Sequence, residues 1–266
     1  MRTILIDVGN TALKWCEIGH EDEPHTVVHR DDPCFRDSLY DAWLAAKPDC
    51  VVGCTVAAPD IAFSVTKFFN DHDIRWQWVR PQASFLSERF TLSNAYRNPA
   101  QLGADRWHAA IGAVDFMCDA APGTSILIVQ MGTAATVDAV RCRQPGEYEF
   151  LGGRIAPGPT LMKHSLESGI SSLTVKLGQW AAFPQSTADA ISSGILDAQA
   201  GLVALSLAEL KRLGGPVQIL LAGGATKFLE GRLRTIDSTF IIRHNLVLRG
   251  LAARARAMGR LEGVAK

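Results

Sequence analysis

Residues 4–14 read Ile4-Leu5-Ile6-Asp7-Val8-Gly9-Asn10-Thr11-Ala12-Leu13-Lys14. An apolar run ends at a carboxylate, passes through a glycine and two small polar residues, and resumes as a second apolar run that carries a lysine. Glycine tolerates positive φ, and small residues let backbone N–H groups approach a ligand. The pattern therefore predicts a β-hairpin whose turn can bind an anion. The alternative is an ordinary hairpin in which Asp7 only hydrogen-bonds the turn.

The polar residues of this hairpin are suited to a bound phosphate chain. Lys14, on the returning strand, would place a compact positive charge near a terminal phosphate. Asp7 would hold Mg²⁺ against the same phosphates, directly or through water. The glycine–lysine–serine/threonine spacing of a P-loop is absent from the stretch. The hairpin is thus predicted to bind phosphate through a turn of a different kind.

A shorter version of the same pattern occurs 123 residues later, over 127–137. At this offset Gln130 takes the place of Asp7, and Thr133 takes the place of Asn10. A repeated strand, glycine turn and strand indicates a duplicated unit, with one domain in each half. We expect the two turns to face each other and to clamp a polyphosphate between the domains.

Short apolar strand-like runs alternate with longer helical patterns along the whole chain. Such alternation predicts an α/β fold whose strands are buried on both faces. A turn cluster at 119–124 divides the chain into an N-terminal domain, 1–119, and a C-terminal domain, 120–266. The predicted elements include a strand over 49–56, a helix from Pro59 to His72, a strand from Ile74 to Val79, a loop over 152–159, a helix over 187–213, a strand over 217–221 and a final basic helix from Leu246.

The composition excludes several classes of function. Of the 266 residues 47% are apolar and 20% are charged, which is enough for a sizeable core. Lysine plus arginine and aspartate plus glutamate number 27 each, so we expect neither nucleic acid nor an anionic membrane as partner. The six cysteines form no CxxC pair. With no signal-peptide pattern and no apolar stretch near the ~20 residues of a membrane span, we expect a soluble, cytoplasmic protein.

A second stretch with catalytic potential lies at 96–108, where a loop containing Pro99 leads through Gly103 into a predicted helix. Asp105 and Arg106 fall in the first turn of that helix. Asp105 could accept a proton from a substrate hydroxyl, and Arg106 could bind an anionic group of the same substrate. The alternative is structural, because a first-turn carboxylate is also favoured by the helix dipole.

Taken together, these motifs resemble the type III pantothenate kinases, including the branch described as Bvg accessory factor. The resemblance covers nearly the whole chain. It implies an α/β fold of the actin, Hsp70 and hexokinase (ribonuclease H-like) type, with two duplicated domains flanking a nucleotide cleft. The motifs that carry it are Asp7-Val8-Gly9-Asn10-Thr11 with Lys14, Tyr96, Gly103-Ala104-Asp105-Arg106, Gly132-Thr133-Ala134, Gly152-Gly153 with Pro157-Gly158, and Ser186-Thr187 before 190–194.

The resemblance also implies an activity and a role for each motif. The activity is ATP-dependent phosphorylation of pantothenate to 4′-phosphopantothenate, the first step of coenzyme A synthesis, with Asp105 as general base. Thr187 would reach the substrate pocket from a neighbouring subunit, which implies a homodimer. The implied ATP-binding residues are Asp7, Val8, Gly9, Asn10, Thr11, Ala12, Leu13, Lys14 and Thr133; the implied pantothenate-binding residues are Tyr96, Gly103, Ala104, Asp105, Arg106 and Thr187.

One position departs from the family pattern. The family has an aspartate that binds an activating monovalent cation, K⁺ or NH₄⁺, where this chain has Gln130. A glutamine oxygen lacks the charge, so we expect weaker cation binding. Either the cation requirement is relaxed or another group supplies the ligand, and Asp138 stands near in sequence.

Two other functions remain open on the sequence alone. The same fold could phosphorylate another small hydroxylated acid or sugar. The protein could also be a non-catalytic accessory or regulatory protein of the Bvg accessory factor type. Asp7, Lys14 and Asp105 are all present, which favours the enzyme.

Overall fold

Two α/β units with matching strand order make up the structure, a computed structural model that describes residues 2–30, 32, 34–170 and 176–264. The first unit comprises the described residues of Met1–Pro122, Arg143–Phe150 and Asn245–Lys266. The second comprises those of Gly123–Cys142 and Leu151–His244.

The first unit is built on a sheet with the strand order β3-β2-β1-β4-β5. Strand β1 pairs antiparallel with β2 and parallel with β4, and β5 continues the parallel side. A smaller arrangement pairs β7 antiparallel with β6 and parallel with the first four residues of β10. The elements are β1 (Thr3–Val8), β2 (Ala12–Glu17), β3 (His25–Val28), α1 (Phe35–Ala46), β4 (Cys50–Thr55), α2 (Pro59–Asp71), β5 (Arg75–Trp78), β6 (Ser84–Leu86), β7 (Thr91–Asn94), a short 3₁₀ turn (Pro99–Gln101), α3 (Ala104–Ala120), the start of β10 (Glu147–Pro157) and α7 (Leu246–Val264).

Strand β1 lies at the centre of this sheet because apolar residues fill both of its faces. Ile4 and Ile6 pack in one cluster with Phe35 and Trp43 of α1, while Leu5 is fully buried on the opposite face. A strand that buries both faces reads as a continuous apolar run, as residues 3–6 do. Asp7 interrupts the run at the carboxyl end of the strand, where the turn begins.

The second unit repeats the arrangement of the first with the strand order β12-β11-β8-β9, followed by the C-terminal part of β10. Strand β8 pairs antiparallel with β9 and parallel with β11, just as β1 pairs with β2 and β4. The shared pairing supports the predicted duplication, and the predicted α/β fold class is confirmed. The elements are β8 (Ser125–Met131), β9 (Ala134–Gln144), β10 to Pro157, α4 (Pro159–Gly169), α5 (Thr187–Arg212), β11 (Val217–Ala222), α6 (Thr226–Leu233) and β12 (Ile241–Ile242).

Helix α5 corrects the expectation that no stretch has the length and apolarity of a membrane span. Its 26 residues have a mean hydropathy of 1.4 over the most apolar window, and half of that window is buried. Val203, Leu207 and Leu210 belong to the hydrophobic core of the second unit, together with Leu127 and Val129 of β8. A buried core helix can be as long and as apolar as a membrane helix, so we interpret α5 as the core helix of an α/β unit.

Helix α7 corrects the assignment of the C-terminal residues to the second domain. The boundary predicted at residues 119 and 120 lies close to Pro122–Gly123, where the first unit gives way to the second. From Asn245 onward, however, the chain returns to the first unit. There α7 crosses α3 at two glycines, Gly112 of α3 and Gly250 of α7, each of which lies against the backbone of the other helix. A Cβ on Gly250, for example, would overlap the carbonyl oxygen of His108.

The other element boundaries agree with prediction to within two residues, except at 152–157. We expected a loop there because of the glycine pair and the two prolines. The structure continues β10 through these residues to Pro157, and α4 begins at Pro159. A strand can carry glycines where another group approaches its backbone closely. Gly153 meets this condition, since a Cβ there would overlap the carboxylate of Asp138.

Candidate active site

The turn between β1 and β2 is tied down by its own backbone and by the strand β3 region. The Gly9 N–H donates to the Ala12 carbonyl at 3.1 Å, which closes the turn. His29 donates through Nε2 to the Gly9 carbonyl at 2.8 Å, and its backbone N–H donates to the Thr11 carbonyl at 3.0 Å. The turn therefore has a defined shape in the protein, as a preorganised anion site requires.

Asp7 and Lys14 stand opposite each other in the register of this hairpin. Directly paired residues of an antiparallel ladder point to the same face, within about 5 Å. Lys14 donates through Nζ to Asn245 Oδ1 at 3.3 Å. Asn245 adopts positive φ immediately before α7, so the C-terminal helix positions the lysine.

The Asp7 carboxyl is held in surroundings that disfavour its charge. Its pKa is raised to about 7, chiefly by burial and then by the nearby carboxylate of Asp105, although Lys14 and a weak hydrogen bond from the Cys54 thiol oppose the rise. Two carboxylates that repel each other favour the binding of a cation or a proton between them. The structure thus brings the two carboxylates singled out in the sequence into one neighbourhood of the first unit.

Asp105 lies at the second position of α3, after Gly103 as the N-cap residue. Its Oδ1 accepts the backbone N–H of Arg106 at 2.8 Å. Gly103 leaves room for this arrangement, because a Cβ there would stand 2.6 Å from Asp105 Oδ1. Burial raises the pKa of Asp105 against the lowering effect of this hydrogen bond and of the Arg106 charge. A raised pKa makes the carboxylate a better proton acceptor near neutral pH.

Arg106 is a nearly buried cation, with 5% of its surface exposed. Its Nη1 donates to the Tyr96 hydroxyl at 2.9 Å. Its guanidinium carbon lies 5.9 Å from the ring centroids of both Tyr96 and Phe150. A planar guanidinium held in this way is suited to bidentate binding of a carboxylate.

A cavity of ≈ 610 Å³ opens in the first unit at the N-terminus of α3. Its volume suits a small organic molecule. Its walls are largely apolar, with Arg80 as the charged residue in them. The lining includes Thr55, Val56, Phe63, Trp78, Arg80, Leu102, Gly103 and Ala104.

In the second unit, the turn between β8 and β9 closes in the same way as the first. The Gly132 N–H donates to the Ala134 carbonyl at 3.1 Å. The Gly158 N–H donates to the Thr133 carbonyl at 2.9 Å, and a Cβ on Gly158 would overlap the Gly132 carbonyl oxygen. Gly158, directly after β10, thus supports the turn that carries Thr133.

Gln130, Thr136 and Asp138 share one face of strands β8 and β9. Gln130 pairs with Thr136, and Ile128 pairs with Asp138, while the alternate residues belong to the core of the unit. Asp138 is fully buried, and Thr136 Oγ1 is buried without a hydrogen-bond partner in the part of the chain described. This face therefore offers several oxygen atoms around Gln130.

Thr187 is the first residue of α5 and lines a groove of ≈ 450 Å³ between α4 and α5. The other lining residues are mainly apolar and include Met162, Leu166 and Ile191. Ser186 caps the helix by accepting the Asp189 N–H. The second unit by itself places no other predicted substrate residue beside Thr187.

Sequence reasoning missed the residues that support the site. His29 holds the first turn, Cys54 contacts Asp7, Asn245 contacts Lys14, and Phe150 contacts Arg106. None of them belongs to a recognisable motif. The asparagine before a helix is a modest signal for positive φ, but its partner could not be read from spacing.

Comparison with known proteins shows which family and fold this chain resembles. A family model described as type III pantothenate kinase matches residues 3–208. A type III pantothenate kinase from Laribacter hongkongensis is 37% identical over 254 residues, which cover 95% of this chain and 98% of the relative. Two solved structures share the fold over 97% of this chain. One is a conserved Baf family protein from Campylobacter jejuni (TM-score 0.54, 20% identity, 99% of that chain), and the other is an archaeal actin homologue (TM-score 0.50, 10% identity, 100% of that chain).

Proposed function

This chain belongs to the type III pantothenate kinase family, and we propose that it transfers the γ-phosphoryl group of ATP to the primary hydroxyl of pantothenate. The products are 4′-phosphopantothenate and ADP, and the reaction is the first step of coenzyme A synthesis. The observation that carries the proposal is the Asp7 carboxyl, which pairs with Lys14 in the hairpin register and has its pKa raised to about 7 by burial first and then by the charge of Asp105.

Asp105 acts as the general base. The hydroxyl oxygen of the acceptor forms a bond to the γ-phosphorus, its proton passes to the Asp105 carboxylate, and the bond between the γ-phosphorus and the bridging oxygen breaks to release ADP. Phosphoryl transfer asks a protein chiefly for positioning and charge stabilisation. Asp105 meets the first need because α3 and the hydrogen bond to Arg106 N fix its carboxylate.

The hairpin turn of 8–12 and the Gly132–Thr133 turn bind the phosphate chain of ATP, and Lys14 neutralises its terminal charge. That the two turns face a common nucleotide is part of this proposal. Support comes from their matching strand pairing and closure in the two units.

A divalent cation fits the chemistry of Asp7. Its pKa of about 7 in the protein alone reflects burial and a second carboxylate, and Mg²⁺ would favour the ionised form. Mg²⁺ is commonly held by one or two carboxylates together with substrate phosphates and water. When bound, it would supply positive charge that neutralises the phosphate oxygens.

A monovalent cation, K⁺ or NH₄⁺, fits the oxygen atoms of the second unit despite Gln130. The Gln130 amide and the Thr136 hydroxyl, which has no hydrogen-bond partner among the described residues, are cross-strand neighbours, and Asp138 follows on the same face. The Asp138 carboxylate would supply the negative charge that Gln130 lacks. The Gln130→Asp variant tests this assignment, because it should lower the K⁺ concentration needed for a shift of the melting temperature. An unchanged K⁺ response in both Gln130→Asp and Asp138→Asn would contradict it.

Tyr96, Gly103, Ala104 and Arg106 bind pantothenate beside Asp105, with its carboxylate on Arg106. Thr187 completes this pocket from the second subunit of a homodimer. Mixing tests the shared pocket: Asp105→Asn and Thr187→Val subunits, each impaired alone, should regain activity when dimers exchange. Activity that stays at the level of the separate variants would place Thr187 elsewhere. We further propose that the enzyme acts in the cytoplasm.

The decisive experiment measures ADP formation with and without pantothenate, repeated in K⁺, NH₄⁺ and Na⁺. We expect pantothenate-dependent turnover. A panel of other hydroxylated acids and sugars in the same assay separates this substrate from its rivals. Absence of turnover with every acceptor under all three cations would reject the kinase and favour the accessory role.

A further inference from the structure

The Arg106 guanidinium contacts two aromatic side chains, Tyr96 and Phe150. With 5% of its surface exposed, it has lost most of its hydration, and a buried charge requires partners. The Tyr96 hydroxyl accepts one N–H at 2.9 Å. The rings of Tyr96 and Phe150 each lie 5.9 Å from the guanidinium carbon, within the range of a cation–π contact.

Phe150 is fixed from several directions. It is fully buried, and its ring stands 6.0 Å from that of Tyr96 and 6.2 Å, edge-on, from that of Trp107. Its backbone carbonyl accepts the Ala95 N–H at 3.0 Å, so β10 also anchors the residue before Tyr96. The Phe150 ring therefore has a fixed position next to the Arg106 guanidinium.

Flat rings beside a guanidinium limit its rotation but leave its charge free to attract an anion. The plane of the five N–H donors then points in one direction, and less entropy is lost when a carboxylate binds in bidentate fashion. We propose that Phe150 is a positioning residue that orients Arg106 toward the carboxylate of the acceptor and thereby selects acidic over neutral acceptors. The inference rests on the proposed function, in which Arg106 binds that carboxylate.

The consequence is a difference between acceptors and not a general loss of catalysis. Removing the ring should weaken binding of pantothenate. It should leave nearly untouched the binding of the corresponding alcohol, in which a hydroxymethyl group replaces the carboxylate. The ring contacts described for Phe150 are with Tyr96, Trp107 and Arg106 and do not include Asp7 or Lys14, so kcat and the KM for ATP should change little.

The test compares Phe150→Leu with the wild type and with a matched control, Phe90→Leu. Phe90 is also buried in the first unit, but its described ring contacts are with Phe85 and Tyr148. For Phe150→Leu we expect the KM for pantothenate to rise about tenfold, with kcat within about twofold. The preference for pantothenate over the alcohol should fall by the same factor. Phe90→Leu should keep the wild-type preference, whatever its melting temperature.

A second variant guards against misfolding. Phe150→Met keeps a flexible apolar side chain of similar bulk and lacks the ring, and it should lose the same acceptor preference. An unchanged preference in whichever of these two variants folds, or an equal loss in Phe90→Leu, overturns the role of Phe150 while leaving the kinase intact. A wild type that phosphorylates neither acceptor overturns the proposed function, and the inference with it.

Discussion

Replacing Gly250 by alanine tests how the C-terminal helix supports the candidate active site. Gly250 lies on α7 at its crossing with α3, and Gly112 lies on the other side of that crossing. A Cβ on Gly250 would stand 2.6 Å from the carbonyl carbon of His108, whereas ordinary contacts begin at 3.4 Å. Because the obstacle is backbone, the two helices must separate by about 1 Å.

The expected loss of stability follows from two opposing effects. Overpacking of this kind costs about 1–3 kcal/mol, and alanine in place of glycine within a helix returns about 0.5–1 kcal/mol. Mid-range values leave a net loss of about 1 kcal/mol, which corresponds to a melting temperature lower by roughly 2–4 °C for a chain of this size. We expect a larger effect on kcat, a fall of about a hundredfold, because a displacement of about 1 Å of a catalytic group can cost that much in rate. His108 is one helical turn from Asp105, so a shift of α3 at His108 would also move Asp105.

The assay pairs thermal melting with ADP formation, and Gly259→Ala is the control. Gly259 lies on the same helix, and a Cβ there meets no atom within 4 Å. Gly259→Ala should melt at or slightly above the wild-type temperature with full turnover. Wild-type melting and turnover in Gly250→Ala would refute the claim that this crossing sets the position of α3.

Three further predictions concern the site and the buried histidine. Asp105→Asn should keep the fold and ATP binding but lose about 10²–10⁴ in kcat; it should also lower the pKa of Asp7, followed by carboxyl ¹³C NMR, since the Asp105 charge raises it, and near-normal turnover would remove Asp105 from the mechanism. Gly158→Ala should raise the KM for ATP, because the new Cβ displaces the Gly132 carbonyl. The control Gly224→Ala, where a Cβ meets no atom within 4 Å, should leave that KM unchanged. Equal KM values for ATP in the two variants would show that this turn does not bind ATP. Burial lowers the pKa of His108 from 6.5 to about 4. The unfolded chain therefore binds a proton at this residue more readily than the folded protein, and the free energy of unfolding falls by about 3 kcal/mol in all as pH drops from 6.5 toward 4. Melting curves from pH 7 to 4.5 should therefore fall less steeply for His108→Gln, and parallel curves would contradict this.

Local patterns in the sequence were sufficient for the elements that depend on neighbouring residues. The apolar run before Asp7, the small residues of the turn and the lysine beyond it predict the β1–β2 hairpin, and the structure contains it. The loop predicted over 152–157 was wrong, because glycines and prolines of the kind found there are typical of loops. A strand forms there because Gly153 lets the backbone pass the Asp138 side chain, and no local signal records that requirement.

The sequence by itself determined the α/β class, the repeated strand–turn–strand unit and the candidate residues of each turn, because period-two burial and turn chemistry act over a few residues. Only the tertiary structure decided which distant residues meet. It set Asp105 near Asp7, returned α7 to the first unit and placed Phe150 against Arg106. The physical reason is that such meetings depend on backbone approach and on the burial of charge, which are properties of packed elements and not of the order of residues along any one of them.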